Sequence, residues 1–322
     1  MASERKFWIE GLRGILCVWI LLFYYTYRFS SLYEENFLFY FDNGKVAVAF
    51  FFILSGYLLQ ATSYKFYKIG AIKWFGNKWI RLFIPYIISC CFIYLVGKMG
   101  MCARFELNFV EFLKCCIMIP YFSPLLDVSH WYVFSLIRFY LFFMIMLKFR
   151  INKKNWFLGL LLLICITNGF IKFKYGMNFL GYIVPSIIEI RIIAGVILFN
   201  TIMERKKENV ALLCLIVLYL SYTVHWFYIP IFFLLFFLLA TNKLNFIANF
   251  LSSRFLLVFG SFSYVLYLIH QNVGYAIELF LLTKACFLKE LIPYLTCIVM
   301  CLVAFVLNIA INRMFLFFKR EK

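Results

Sequence analysis

The chain has 322 residues, 66% of them hydrophobic, 22% aromatic and only 14% charged. A water-soluble domain of this length could not bury that much apolar surface, so the composition excludes one. Net charge is +18, but the cations sit in short clusters between apolar runs. That excludes a nucleic-acid-binding face and fits loops lying against anionic lipid.

A bilayer core of ~30 Å needs about 20 apolar residues per helix. On that rule the sequence predicts ten spans, near 11–28, 45–65, 80–97, 130–149, 156–172, 179–202, 209–223, 225–241, 255–282 and 291–314. The first resembles a signal peptide but lacks a small-residue cleavage site, and is read as an uncleaved span. Segment 107–121 is short and carries Glu111 and Lys114, so it reads as an interfacial or partly inserted helix. Residues 209–241 are the weakest division, either two short spans meeting at Thr223–Val224 or one strongly kinked hairpin. With the N-terminus inside, 21 of the 32 Lys and Arg fall on inner segments and nine on outer ones. This asymmetry predicts cytoplasmic termini and an even span count. The expected fold is therefore an all-α polytopic membrane protein, a single integral domain over 1–322. The 11 Cys lie mostly within apolar runs, with no CxxC pair. Neither a disulfide framework nor a metal site is expected.

Ionisable groups at membrane depth are costly, so each is a candidate for function. In the first span Arg13, Cys17, Tyr24 and Arg28 follow at intervals of 4, 7 and 4, one face of a helix. The bland alternative is a snorkelling arginine and an aromatic belt. In the ninth span Ser263, Tyr267, His270 and Gly274 follow at 4, 3 and 4, lining a wet cavity or forming interhelical hydrogen bonds. His130 and Trp131 open the fourth span, and Arg138 lies deeper on the Trp131 face. Pro185 and Glu189 share a face in the sixth span, whereas Arg191 points elsewhere. Arg138 and Glu189 are expected to pair across helices. Ser55 precedes Gly56 mid-span and suits close helix packing or a covalent acyl-serine. Five cations between 65 and 81 read as a membrane-surface loop or as a site for a phosphorylated cofactor. No P-loop pattern is present.

Five segments carry a family likeness, in order: GLRGILCVWILLFYY (11–25), AFFFILSGYLL (49–59), NKWIRLFIPY (77–86), HWYVFSLIRFYLFF (130–143) and GSFSYVLYLIHQNV (260–273). Together they resemble the integral-membrane acyltransferase 3 family, whose members O-acetylate polysaccharides and related glycans. The resemblance implies ten spans in a bacterial inner membrane, with acetyl-CoA as the cytoplasmic donor and a glycan or glycolipid as acceptor. Arg13 and His270 match family positions. Lys73, Lys78 and Arg81 are implied as the cations that meet the donor's phosphates. One departure bears on chemistry: the family's first-span histidine is replaced by Tyr24. An ordinary phenol is a poor base at neutral pH. Either His130 or His270 supplies the base, or Tyr24 is activated, or the chain has lost catalysis. Ala49, Leu136 and Ile137 also stand where relatives carry acids. The alternatives are a lapsed member acting as a glycan-binding or partner subunit, and a transporter whose path includes Arg138, Glu189 and Arg191. The outer loops 28–45 and 98–129 would choose the acceptor, with Glu34, Glu35, Asp42, Glu106, Glu111 and Asp127 as candidate sugar contacts.

Overall fold

The computed structural model describes residues 7–99, 108–117, 126–175 and 187–320. Every regular element among them is helical, as lipid demands of backbone that must satisfy its own hydrogen bonds. In chain order the α-helices are α1 (Phe7–Leu22), α2 (Phe29–Tyr33), α3 (Gly44–Ala61), α4 (Tyr64–Ile69) and α5 (Ala71–Lys98). Then follow α6 (Phe109–Ile117), α7 (Trp131–Lys148), α8 (Asn155–Tyr175), α9 (Ile187–Glu204) and α10 (Lys207–Thr223). The last five are α11 (Tyr228–Ala240), α12 (Asn245–Leu251), α13 (Arg254–Ile269), α14 (Asn272–Lys284) and α15 (Ile292–Arg320).

Five helical stretches are long and apolar enough to cross a membrane: Phe7–Tyr33, Gly44–Ala61, Ala71–Lys98, Val128–Lys148 and Phe287–Phe315. The pairs α11–α12 and α13–α14 raise the count to seven if each bent pair is one span. The expected ten are not reached by this measure. Of α8, only Asn155–Asn168 counts as a shorter apolar helix, α9 carries Glu189, Arg191 and Glu204, and α10 has only 17 residues. The first part of the predicted 179–202 span lies outside the described residues. The predicted ninth span, 255–282, is not one straight helix: it bends by 82° between Ile269 and Asn272. A stripe drawn through Ser263, Tyr267, His270 and Gly274 is therefore broken after His270. The α10–α11 joint falls at Thr223–Val224 as read, and His225 Nδ1 accepts the Phe227 and Tyr228 N–H groups that open α11. Within 107–121, Asn108 and Glu111 exchange side-chain and backbone hydrogen bonds at 3.1 and 2.8 Å. This is a capping box, and it fixes the start of α6.

The chain forms two compact units. One comprises residues 45–78 and 135–250. In it Gly56 of α3 and Gly195 of α9 face each other's helix so closely that a Cβ on either would overlap backbone. Phe50 stacks on Phe232 at 3.8 Å, and Tyr57 packs edge-on against Phe199 and Phe236. A buried amide cluster holds α3 to α9 and to the turn before α8. Gln60 donates to Asn200 Oδ1 at 2.7 Å and accepts from Asn152 at 3.0 Å, while Asn200 Nδ2 donates to the Asn152 carbonyl.

The other unit comprises residues 7–44, 79–134 and 251–322. Its frame is the crossing of α1 and α13. A Cβ at Gly11 would overlap the Leu251 carbonyl, one at Gly260 would overlap that of Glu10, and one at Gly14 would press on Phe259 and Gly260. Small residues let the two backbones touch, and Cys17 Sγ then reaches the Ser263 carbonyl at 3.4 Å.

Candidate active site

The glycine-lined crossing sets the register that delivers the end of α1 to the end of α13. Past Leu22 the first helix widens into a π-turn over Phe23–Arg28, marked by a Phe29 N–H bond to the Tyr24 carbonyl five residues back. Such turns concentrate at functional sites. Here the turn brings two consecutive side chains to the same residue. The Tyr24 ring lies edge-on to the His270 ring, with centroids 4.6 Å apart. The Tyr25 hydroxyl donates to the His270 carbonyl at 2.8 Å. Gly274, one turn beyond, leaves the room that the Tyr25 ring occupies.

A bend of 82° strands backbone groups at the end of α13 and the start of α14. Side chains from another segment, Leu126–His130, satisfy them. Ser129 Oγ donates to the Tyr267 carbonyl at 3.3 Å, and His130 Nε2 lies 3.0 Å from the Leu268 carbonyl. Asp127 accepts the Asn272 N–H at 3.0 Å and, with its other oxygen, the Ser129 N–H at 2.8 Å. Asn272 Nδ2 returns a bond to the Leu126 carbonyl at 2.7 Å. His270 turns its Nδ1 back to the Tyr267 carbonyl at 2.7 Å.

These contacts assign the tautomers. A carbonyl only accepts, so His130 must carry its proton on Nε2 and His270 on Nδ1. The opposite nitrogens, His130 Nδ1 and His270 Nε2, are buried and have no hydrogen-bond partner among the described residues. Each is a bare lone pair on an oriented ring, the form a general base requires. Both histidines are fully buried, and Tyr24, which keeps partial exposure, lies against His270. The Asp127 carboxylate acts electrostatically on Tyr24, His130, Tyr267 and His270. Tyr86 and Tyr132 close the cluster, the first 4.9 Å from the His130 ring and the second 5.0 Å from the Tyr267 ring.

Tyr24, His130, Tyr267 and His270 thus come together. Arg13 and Ser263 lie further down the α1–α13 crossing. Arg13 pairs with Glu10 at 3.4 Å, and Ser263 Oγ donates to the Gly260 carbonyl. In the unit containing α3, Ser55 Oγ donates to the Phe51 carbonyl of its own helix, and the neighbouring Gly56 gives the close packing. Arg138 and Glu189 form an ion pair. Arg191, on the same helix as Glu189, interacts electrostatically with both Tyr219 and Glu189. Of the α5 cations, Lys73 and Arg81 are exposed, and Lys78 donates to Thr62 Oγ1 at 3.3 Å.

Among the contributors to the site that sequence reasoning missed are Asp127, Ser129 and Asn272. Asp127 stood among the sugar-facing loop acids, but it is fully buried and holds backbone instead. Ser129 and Asn272 carried no signal beyond their closeness in sequence to the two histidines. Glu111 is spent on its helix cap and Glu35 on Lys289, and Glu106 lies outside the described residues. Among the described residues no cluster of His, Cys, Asp and Glu could hold a metal ion.

A family model described as an acyltransferase domain, that of the acyltransferase 3 family, matches residues 6–313. No curated protein and no solved structure matches the chain.

Proposed function

Since the chain belongs to the acyltransferase 3 family, we propose that it O-acylates a cell-surface polysaccharide or glycolipid, drawing acetyl groups from cytoplasmic acetyl-CoA. The observation that carries this reading is the bare Nε2 of His270, on a ring whose Nδ1 is fixed to the Tyr267 carbonyl and whose face meets Tyr24. In this reading Nε2 takes the proton of the attacking sugar hydroxyl. The new bond joins that oxygen to the acyl carbon, the carbon–sulfur bond breaks, and the proton leaves with the thiolate as free CoA. Acetyl-CoA, when bound, supplies the activated carbonyl. The Tyr24 phenol then has the complementary task of donating to the developing oxyanion. His130 is the second candidate base. The exposed Lys73 and Arg81, with Lys78 on the same helix, suit a ligand carrying several phosphates. Cytoplasmic termini and a bacterial inner membrane belong to the same proposal.

The test is CoA release by the purified protein in lipid, supplied with acetyl-CoA and host membrane glycan. The wild-type chain should turn over, and His270→Ala should lower kcat by about 10²–10⁴-fold, the usual scale of general-base loss. Tyr24→His serves as the comparison. Activity confined to Tyr24→His would instead support a lapsed subunit, the reading that Tyr24 itself favours. Failure of acetyl-CoA to bind at all would overturn the enzyme reading.

A further inference from the structure

We infer that Asp127 is the positioning residue of this site: one carboxylate that fixes both histidine rings at once. The inference rests on the acyltransferase reading for its kinetic part and on the geometry alone for its structural part.

Asp127 is fully buried, and its two oxygens serve different segments. Oδ1 accepts the N–H of Ser129, one residue before His130, and Oδ2 accepts the N–H of Asn272, two residues after His270. Each N–H opens a helical turn, where backbone donors lack partners and a negative charge is favoured. Asn272 reinforces the join by returning its side-chain amide to the carbonyl that precedes Asp127. The two rings are then oriented by carbonyls of adjacent residues, Tyr267 and Leu268. Neither ring bonds to the carboxylate. Asp127 therefore differs from the acid of a hydrolase triad, which grips its histidine directly. It holds the peptide frame on which both rings hang, and its charge lies within reach of both.

Asp127→Asn keeps the size of the group, removes the charge and turns one oxygen into a donor facing an N–H. In the turnover assay this variant should lower kcat by about 100-fold, the effect of a displacement near 1 Å, with KM for acetyl-CoA unchanged. In a His270→Ala background the same change should add little, because its effect passes through that ring. A second readout needs no turnover. Diethyl pyrocarbonate acylates bare imidazole nitrogens, and peptide mass spectrometry reports each histidine separately. Asp127→Asn should raise the modification rates of His130 and His270 together, several-fold, while His225 stays at its wild-type rate. Asp127→Glu, which keeps the charge, should fall between. It replaces the Asn variant if that chain does not accumulate.

A rise at one histidine alone, a full additive loss in the His270→Ala background, or an effect on KM with kcat intact would overturn the assignment. A wild-type protein with no CoA release at all would sink the acyltransferase reading. The paired modification rates would still decide whether Asp127 fixes both rings.

Discussion

The two units each bury a polar cluster, and the clusters are finished differently. Around Gln60 both ends of the amide are used, and Asn200 likewise both accepts and donates. Around His270 each imidazole uses one nitrogen, and the other has no hydrogen-bond partner among the described residues. Buried polar groups cost free energy unless paired, so a satisfied cluster stabilises a fold, and one left incomplete keeps a reactive atom available. The difference separates a structural joint from a candidate site, although both are fully buried and both join helices.

The contrast can be broken most forcefully at the ion pair of the first unit. Glu189→Ala strands Arg138 and should cost about 3–5 kcal/mol, read as a large fall in thermal midpoint in detergent. The double variant Arg138→Met, Glu189→Leu should recover most of it. A double variant as unstable as the single one would mean that the pair is more than structural. Next comes the amide cluster. Gln60→Leu leaves Asn152 and Asn200 short of partners and should cost about 1–3 kcal/mol, with kcat per folded molecule unchanged. A kcat loss without a stability loss would erase the distinction drawn here. The smallest effect belongs to Tyr25→Phe. The His270 carbonyl keeps a second donor, the Gly274 N–H at 3.2 Å, so removing the phenol should cost about 1 kcal/mol. Turnover should fall only modestly, which would mark Tyr25 as a support for His270 and Tyr24 as the residue that meets its ring.

Much of this was legible in the sequence, for reasons that can be named. Apolar runs near 20 residues mark helices whatever their neighbours, which is why the α-helical membrane class followed from composition. Glu189 and Arg138 are too costly alone at depth, so their pairing could be expected, and the break at Thr223–Val224 showed in its loss of apolar pattern. His270 and Tyr24 stood out because polar groups on regular faces do. What stayed hidden depends on departures from regularity. The bend at His270–Gln271 has no proline or glycine within it to announce it. Asp127 reads as a loop acid until the fold brings Asn272 to it, and Ser129 has no periodicity to betray its contact with the Tyr267 carbonyl. The count of ten is not reached among the described residues by the same logic: hydropathy measures length and polarity, and α9 carries charges that its neighbours neutralise.

The π-turn at Phe23–Arg28 has a consequence for how this site can vary. In an α-helix adjacent side chains diverge by about 100°, and a pair such as Tyr24 and Tyr25 would serve different surroundings. The widened turn lets them grip a single residue from two sides, one at its ring and one at its carbonyl. The arrangement is therefore counted in residues. Dropping one residue between Phe23 and Arg28 would restore an even helix, rotate everything beyond it and split the tandem, without altering any group that does chemistry. Substitution can tune this site, but insertion and deletion act on it as a switch, and the first span carries its register as strictly as a reading frame.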